Sequence, residues 1–278
     1  MFSKSCFTFS AFAAAAAAAM LAAGGAAMAT TVISDTFTAA DGTAIPGRTP
    51  SPTDLPGSIW TQGTSNYEND IKSDTAVLGA STTDTIALNT FTATYSITSY
   101  TISDQFNLSN DSGATSSNGP ERGAFLGFFN SSDLNGTYTS IAGGMIISYD
   151  GTATAWENGS QIGNYNGVSI SNFNAANNHT LSMDVAISGT NATFSNFLLD
   201  GTALPTNTNY PSGVSFTIST SDLAYPAFYN SSATAGNTAT FDNFLLTTPT
   251  VIPEPATVGL LGLGAMGLLL TMRRRRTT

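Results

Sequence analysis

The chain has one cysteine, Cys6, and one histidine, His179, among its 278 residues. No disulfide can form within it, and no thiolate or multi-histidine cluster can be assembled for zinc. No Gly-x-Ser-x-Gly elbow accompanies the lone histidine, so a nucleophile triad has no support. Basic residues are equally scarce, with eight Lys and Arg against eighteen Asp and Glu and a net charge of −10. Four of the eight are Arg273, Arg274, Arg275 and Arg276, and a fifth is Lys4. Between those ends Arg48, Lys72 and Arg122 face seventeen acidic residues from Asp35 to Asp242. That balance excludes nucleic acid and anionic lipid as partners of the central region. Glu, Lys, Gln and Arg, which favour helices, are nearly absent from residues 30–250. Thr, Val, Ile, Tyr and Phe take their place, and seventeen phenylalanines imply a packed core. The composition is that of an all-β chain whose stability must come from burial alone.

The two ends differ from the rest. Lys4 opens a short polar stretch, an apolar run follows from Phe7 to Leu21, and Ala27-Met28-Ala29 supplies an A-x-A cleavage site. Residues 1–29 therefore read as a secretory signal peptide, with the mature chain beginning near Thr30. Cys6 precedes the apolar run, so it makes no lipobox. At the other end Pro253-Glu254-Pro255 is a rigid, extended tripeptide, followed by Ala256-Thr257 and an apolar run from Val258 to Met272. Residues 258–272 read as a transmembrane helix. Residues 273–278 read as a basic cytoplasmic tail in which Arg273, Arg274, Arg275 and Arg276 stop transfer. At helical rise the span covers about 22 Å, short of the roughly 30 Å hydrocarbon core, which makes it a marginal anchor.

Pro253-Glu254-Pro255-Ala256-Thr257, with the apolar run and the arginines in that order, resembles the PEP-CTERM protein-sorting signal. Ile252 stands where that pattern has valine. The resemblance implies export across the inner membrane of a Gram-negative bacterium, at least transient anchoring there, and processing by an exosortase-type enzyme. The destination it implies is the cell envelope or the extracellular matrix.

Between the ends, residues 30–248 read as one domain, and 249–257 as its linker to the span. Leu181, Met183, Val185 and Ile187 alternate with polar residues, as do Tyr95–Ser99 and Val214–Ile218. Asn135-Gly136, Asp150-Gly151, Asn158-Gly159, Ser188-Gly189 and Asp200-Gly201 are turn signals. Residues 141–163 thus form a meander with turns at Asp150-Gly151 and Asn158-Gly159. Two segments repeat, Ala192-Thr193-Phe194-Ser195-Asn196-Phe197-Leu198-Leu199 and Ala239-Thr240-Phe241-Asp242-Asn243-Phe244-Leu245-Leu246. Each reads as a strand with apolar residues on both faces. Many short strands at this spacing predict a sandwich or barrel.

Asp35-Thr36-Phe37, Ala40-Asp41-Gly42-Thr43, Gly47-Arg48-Thr49-Pro50 and Trp60-Thr61 resemble the N-terminal lead of concanavalin A-like (laminin G, lectin or glucanase) domains. Arg122–Phe128 and Ser148–Gly151 resemble central strands of that class, and Thr240–Leu246 its closing strand. The resemblance implies a two-sheet antiparallel jelly-roll sandwich whose last strand pairs near the first.

Glycosidases on that fold set two carboxylates about 5–5.5 Å apart across one bond. Glu68, Glu121 and Glu157 stand singly, and Glu68-Asn69-Asp70 lacks the second Glu. The expectation is therefore a non-enzymatic protein; a secreted glycoside hydrolase-like enzyme and a dedicated lectin are the alternatives. Sugar contact would use exposed aromatic platforms, with Trp156, Tyr149 and Tyr165 as candidates, whereas Trp60 is expected in the core. Asn130, Asp133 and Asn135 are the calcium candidates, with Asp104 and Asp111 flanking a second polar loop. Turn duty competes with that reading, and no other cofactor is expected. His179 reads as a solvated residue at a strand start.

Overall fold

The computed structural model describes residues 30–51, 58–62, 69–79, 84–88, 99–109, 122–130, 138–163, 165, 167–231 and 237–248. They belong to one compact unit, Thr30–Thr248. Several expectations lie outside the described residues. These are the signal peptide with Ala27 and Ala29, the sorting motif Pro253–Thr257, the 258–272 span, and the stop-transfer residues Arg273, Arg274, Arg275 and Arg276. The Tyr95–Thr98 part of one expected strand and residues Glu68, Asp111, Glu121, Asp133 and Asn135 lie outside them as well. Among the described residues no helix is long and apolar enough to cross a membrane.

Two antiparallel sheets make the unit. The first contains β1 (Thr30–Asp35), β2 (Thr43–Ala44), β4 (Asn69–Lys72), β5 (Thr75–Gly79) and β7 (Ser99–Asn107). It also holds β13 (His179–Ser188), β14 (Asn191–Leu199), β15 (Thr202–Ala203), β16 (Phe216–Ser219) and β18 (Thr238–Thr248). The second contains β3 (Trp60–Gln62), β6 (Asp84–Leu88), β8 (Gly123–Phe129) and β9 (Ile141–Ile147). Its remaining strands are β10 (Thr152–Glu157), β11 (Ser160–Gln161), β12 (Val168–Ser169) and β17 (Tyr225–Ser231).

The first sheet runs β15-β14-β13-β7-β18-β5-β4-β2, with β1 on β18 and β16 on β14; the second runs β11-β10-β9-β8-β17-β6-β3. The all-β, two-sheet expectation holds, and the last strand does pair with the first, Thr30 opposite Thr248. The 141–163 meander is present as β9, β10 and β11, and the turn between the last two has Asn158 and Gly159 at φ 48° and 74°. Two successive left-handed residues match the twist of a two-residue hairpin.

The sheets are not equivalent. Along β13 inward residues Leu181, Met183 and Val185 are buried while Thr180 and Ala186 are exposed, so the first sheet has a wet outer face. Every residue of β8 and β9 is buried, which puts both faces of these two strands of the second sheet out of water. Its inner face (Leu126, Phe128, Met145, Ile147) joins the main core, and its outer face (Phe125, Phe129, Ile146, Trp156, Tyr229) forms a separate aromatic cluster.

The repeated segment has a structural meaning that corrects its reading as a strand apolar on both faces. Asn196 and Asn243 have φ 53° and 56°, and pairing slips at each, between Ser182 and Asp184 and between Asp242 and Leu245. Each is a β-bulge, which resets the alternation by one residue. Phe194 and Phe197 therefore both face the core, as do Phe241 and Phe244.

Candidate functional site

The N-terminal lead folds as a latch. Asp35, at the end of β1, is fully buried, and Phe37 N–H donates to its Oδ1 at 2.9 Å. Arg48 Nη1 and Trp60 Nε1 both donate to Oδ2 at 2.7 Å. Backbone bonds from Trp60 N to Arg48 O (2.8 Å) and from Gly47 N to Trp60 O (2.7 Å) hold the two donors together. Trp60, in the core as expected, packs edge-on against Phe228 and Phe244, both at 5.1 Å. Phe244 is the residue opposite Asp35 in the β1–β18 register. The lead and the closing strand thus meet in one buried contact, in which Asp35, Trp60 and Phe244 are used internally.

The three sugar-platform candidates do not form a surface. Tyr165 is buried in the main core, where its hydroxyl donates to Pro205 O at 2.8 Å and burial pushes its pKa up to about 12. Tyr149 is half-buried against the same core. Trp156 lies on the opposite side of the second sheet, 5 % exposed, among Phe125, Ile146 and Tyr229. These rings are large apolar bodies close to strands, and the core takes them. Of the calcium candidates only Asn130 is described, exposed just past the end of β8. Asp104 is not in a loop: it sits within β7 and faces inward.

Asp104 is 2 % exposed, and neither carboxylate oxygen has a well-formed hydrogen bond. Burial pushes its carboxyl well above the ordinary 3.8, the nearby Asp242 and Asp35 charges push the same way, and the Gln105 N–H opposes them only in part. A raised carboxyl can mark a general acid. This one is enclosed between the sheets, facing inward from β7. Glu157 ends β10 half-buried. No group of three or more His, Cys, Asp or Glu among the described residues is placed to hold a metal ion.

One open feature combines apolar and polar surface. A cleft of about 210 Å³ lies between the Ile170–Phe173 segment, the start of β13 and the turn joining β14 to β15. His179, expected in solvent, is buried at its edge. Its ring stacks on Phe173 at 4.5 Å, Nδ1 bonds Asp200 Oδ2 at 2.7 Å, and Nε2 bonds Asn174 O at 2.9 Å. Each ring nitrogen thus has one partner, the half-exposed Asp200 carboxylate on Nδ1 and the Asn174 carbonyl on Nε2. Thr180 N–H donates to Asp200 Oδ1 at 2.8 Å, which fixes the carboxylate at the rim. Composition did not point to this place. The alternation of Leu181, Met183 and Val185, carried back two residues, would have turned His179 inward.

None of the curated proteins matches the sequence. Among solved structures the chain is similar to an endo-1,3-β-glucanase from Streptomyces sioyaensis, at 11 % identity and TM-score 0.47, covering 80 % of this chain and 96 % of that one. It is also similar to the exoplasmic/lumenal domain of VIP36 in a Ca2+/Man3GlcNAc-bound form (11 %, TM-score 0.43, 73 % and 90 %). A third is the metal-free carbohydrate recognition domain of Emp46p (11 %, TM-score 0.44, 74 % and 94 %). These overlaps are partial, and the sandwich stands on the strand pairing described above. Residues 251–276, from the residue before Ile252 through Arg273, Arg274, Arg275 and Arg276, match the PEP-CTERM protein-sorting motif, which implies export and envelope association for the all-β sandwich that precedes it.

Proposed function

We propose that the protein is an exported, non-catalytic component of the cell envelope or exopolysaccharide matrix, sorted by its tail and in contact with glycans. The observation that carries the reading is the PEP-CTERM motif at residues 251–276, directly behind the sandwich. Pro253 and Pro255 restrict the backbone around Glu254, so a processing enzyme of the exosortase type docks a preformed extended peptide at small entropic cost. Val258–Met272 acts as a short membrane span that holds the chain until the tail is processed. The four charges of Arg273, Arg274, Arg275 and Arg276 keep its end in the cytoplasm. The glycan part is supported by an acidic, disulfide-free domain with an open cleft of mixed polarity. The non-catalytic part is supported by the buried carboxylates among the described residues, Asp35 and Asp104, which are enclosed in the core.

Replacing Glu254 with Ala and following the size and location of the protein tests the sorting arm. Accumulation of an unprocessed, membrane-bound form is expected, and unchanged processing would remove it. Retention of the processed protein on native exopolysaccharide, with and without calcium, tests the glycan arm. Absence of retention in both conditions would count against it.

A further inference from the structure

We infer that the cleft beside His179 is a saccharide subsite that takes one neutral hexopyranose ring. This site deepens the glycan-contacting reading, on which it rests. At about 210 Å³ the cleft falls below the ~300–1,000 Å³ of pockets that enclose drug-sized ligands. It therefore has room for one small ring and not for an oligomer segment. Its floor is apolar, with Ile170, Leu204 and Pro205 offering a surface for the C–H face of a sugar.

The rim is polar and exposed, formed by Asn172, Asp200 and Thr202. Asp200 is the organising group. Its side chain is 49 % exposed, and each oxygen spends one lone pair on a protein donor, Thr180 N or His179 Nδ1. A second lone pair on each oxygen remains for hydroxyl donors. His179 is held on both nitrogens and stacked on Phe173, so the carboxylate stays in place without a ligand. Pre-setting the acceptor lowers the ordering cost of binding a small polar ring.

The charge selects the sugar class. A uronate would bring a second carboxylate to Asp200 on an already acidic domain, and like charges repel. Both ring nitrogens of His179 are already engaged, by the Asp200 carboxylate and the Asn174 carbonyl, so neither is left to hold a uronate carboxylate. A neutral hexose carries hydroxyl donors and an apolar face without that penalty.

The full chain, purified in mild detergent, can be titrated with glucose, galactose, mannose and glucuronate by saturation-transfer NMR. At least one neutral hexose is expected to bind in the millimolar range, with glucuronate about tenfold weaker or more, a difference of about 1.4 kcal/mol. Ala203→Trp, at an exposed position lining the cleft, should abolish the signal without lowering the unfolding temperature. Asp200→Asn should weaken neutral sugars and narrow the gap to glucuronate. Binding that survives Ala203→Trp, no transfer to any neutral hexose, or glucuronate binding as well as glucose would each overturn the assignment. Matrix retention that persists in Ala203→Trp would sink this site while leaving the glycan-contacting role intact; loss of retention in wild type sinks the role itself.

Discussion

Asn196 and Asn243 make the same left-handed step in two different strands, and each turns a following phenylalanine, Phe197 or Phe244, onto the core. The two segments share more than composition: buried, half-buried and exposed positions follow the same order from Ala192 to Leu199 as from Ala239 to Leu246. Asparagine tolerates this conformation, and its short amide finds a carboxylate beside it, next door in sequence for Asn243 and across the strand pair for Asn196. Asn243 Nδ2 reaches Asp242 Oδ2 at 2.8 Å, and Asn196 Nδ2 reaches Asp184 Oδ2 at 2.9 Å. Replacing Asn243 with Val should therefore cost about 1–2 kcal/mol, the penalty of a left-handed conformation for a side chain with a branched Cβ. Asn243→Gly should stay near wild type. Chemical denaturation of the full chain checks both, and a Val variant as stable as the Gly one would show that the bulge is not held at this residue.

The latch at the N-terminal lead predicts a larger effect. Asp35→Ala leaves the Trp60 N–H and the Arg48 guanidinium without their buried acceptor. Removing one partner of a buried ion pair costs roughly 3–5 kcal/mol. The unfolding free energy should drop by about that amount, with a smaller loss for Asp35→Asn, which keeps an oxygen acceptor. A change below about 1 kcal/mol for Asp35→Ala would contradict the geometry.

Asp104 predicts a pH dependence of definite sign. The folded protein keeps its carboxyl protonated to higher pH than the unfolded chain, which releases the proton near 3.8. The native state thus binds more protons, and stability falls as pH rises from 3.8 through the folded-state value. Below 3.8 both states hold the proton and nothing is lost. Asp104→Asn should raise the unfolding temperature at neutral pH, and the advantage should shrink toward about pH 3. Equal gain or loss at both pH values would rule out a buried, unpartnered carboxyl as the source.

Gly144 tests the outer aromatic cluster. The Phe125 ring lies across Gly127 and Gly144, so a Cβ at Gly144 would come within 2.6 Å of the ring and closer still to the Leu126 carbonyl. Overpacking of this kind costs typically about 1–3 kcal/mol. Gly144→Ala should lower stability by that amount, whereas an exposed change such as Thr202→Ala should not. Near-equal denaturation midpoints for the two variants would mean that β8 and β9 can part here and that the close approach is not a constraint.

Much of the fold was legible in residues. Leu181–Ile187 alternates cleanly, Asn158-Gly159 marks its hairpin, and the pleat-favouring composition leaves few other classes. The bulges were not legible because a positive φ at Asn196 or Asn243 leaves no mark on an alternation count; the repeat itself was visible, its backbone step was not. The aromatics misled for a related reason. Trp156 and Tyr165 lie nine residues apart in the sequence, yet one packs outside the second sheet and the other inside the sandwich. The sorting motif was read directly, because proline rigidity, an apolar run and clustered arginines each act locally and need no tertiary partner. The cleft at His179 depends on three separate segments, so no window of sequence contains it.

β18 bonds three partners at once, β1, β5 and β7. The first sheet therefore has no complete register until residues 238–248 are available, and the earlier strands cannot close it among themselves. Whichever compartment finally receives that hub strand is the one in which the domain matures, so a chain crossing a membrane on export would complete this sheet only once β18 has followed. Because Thr30 and Thr248 lie side by side, the first and last residues of the unit meet at one spot on its first sheet.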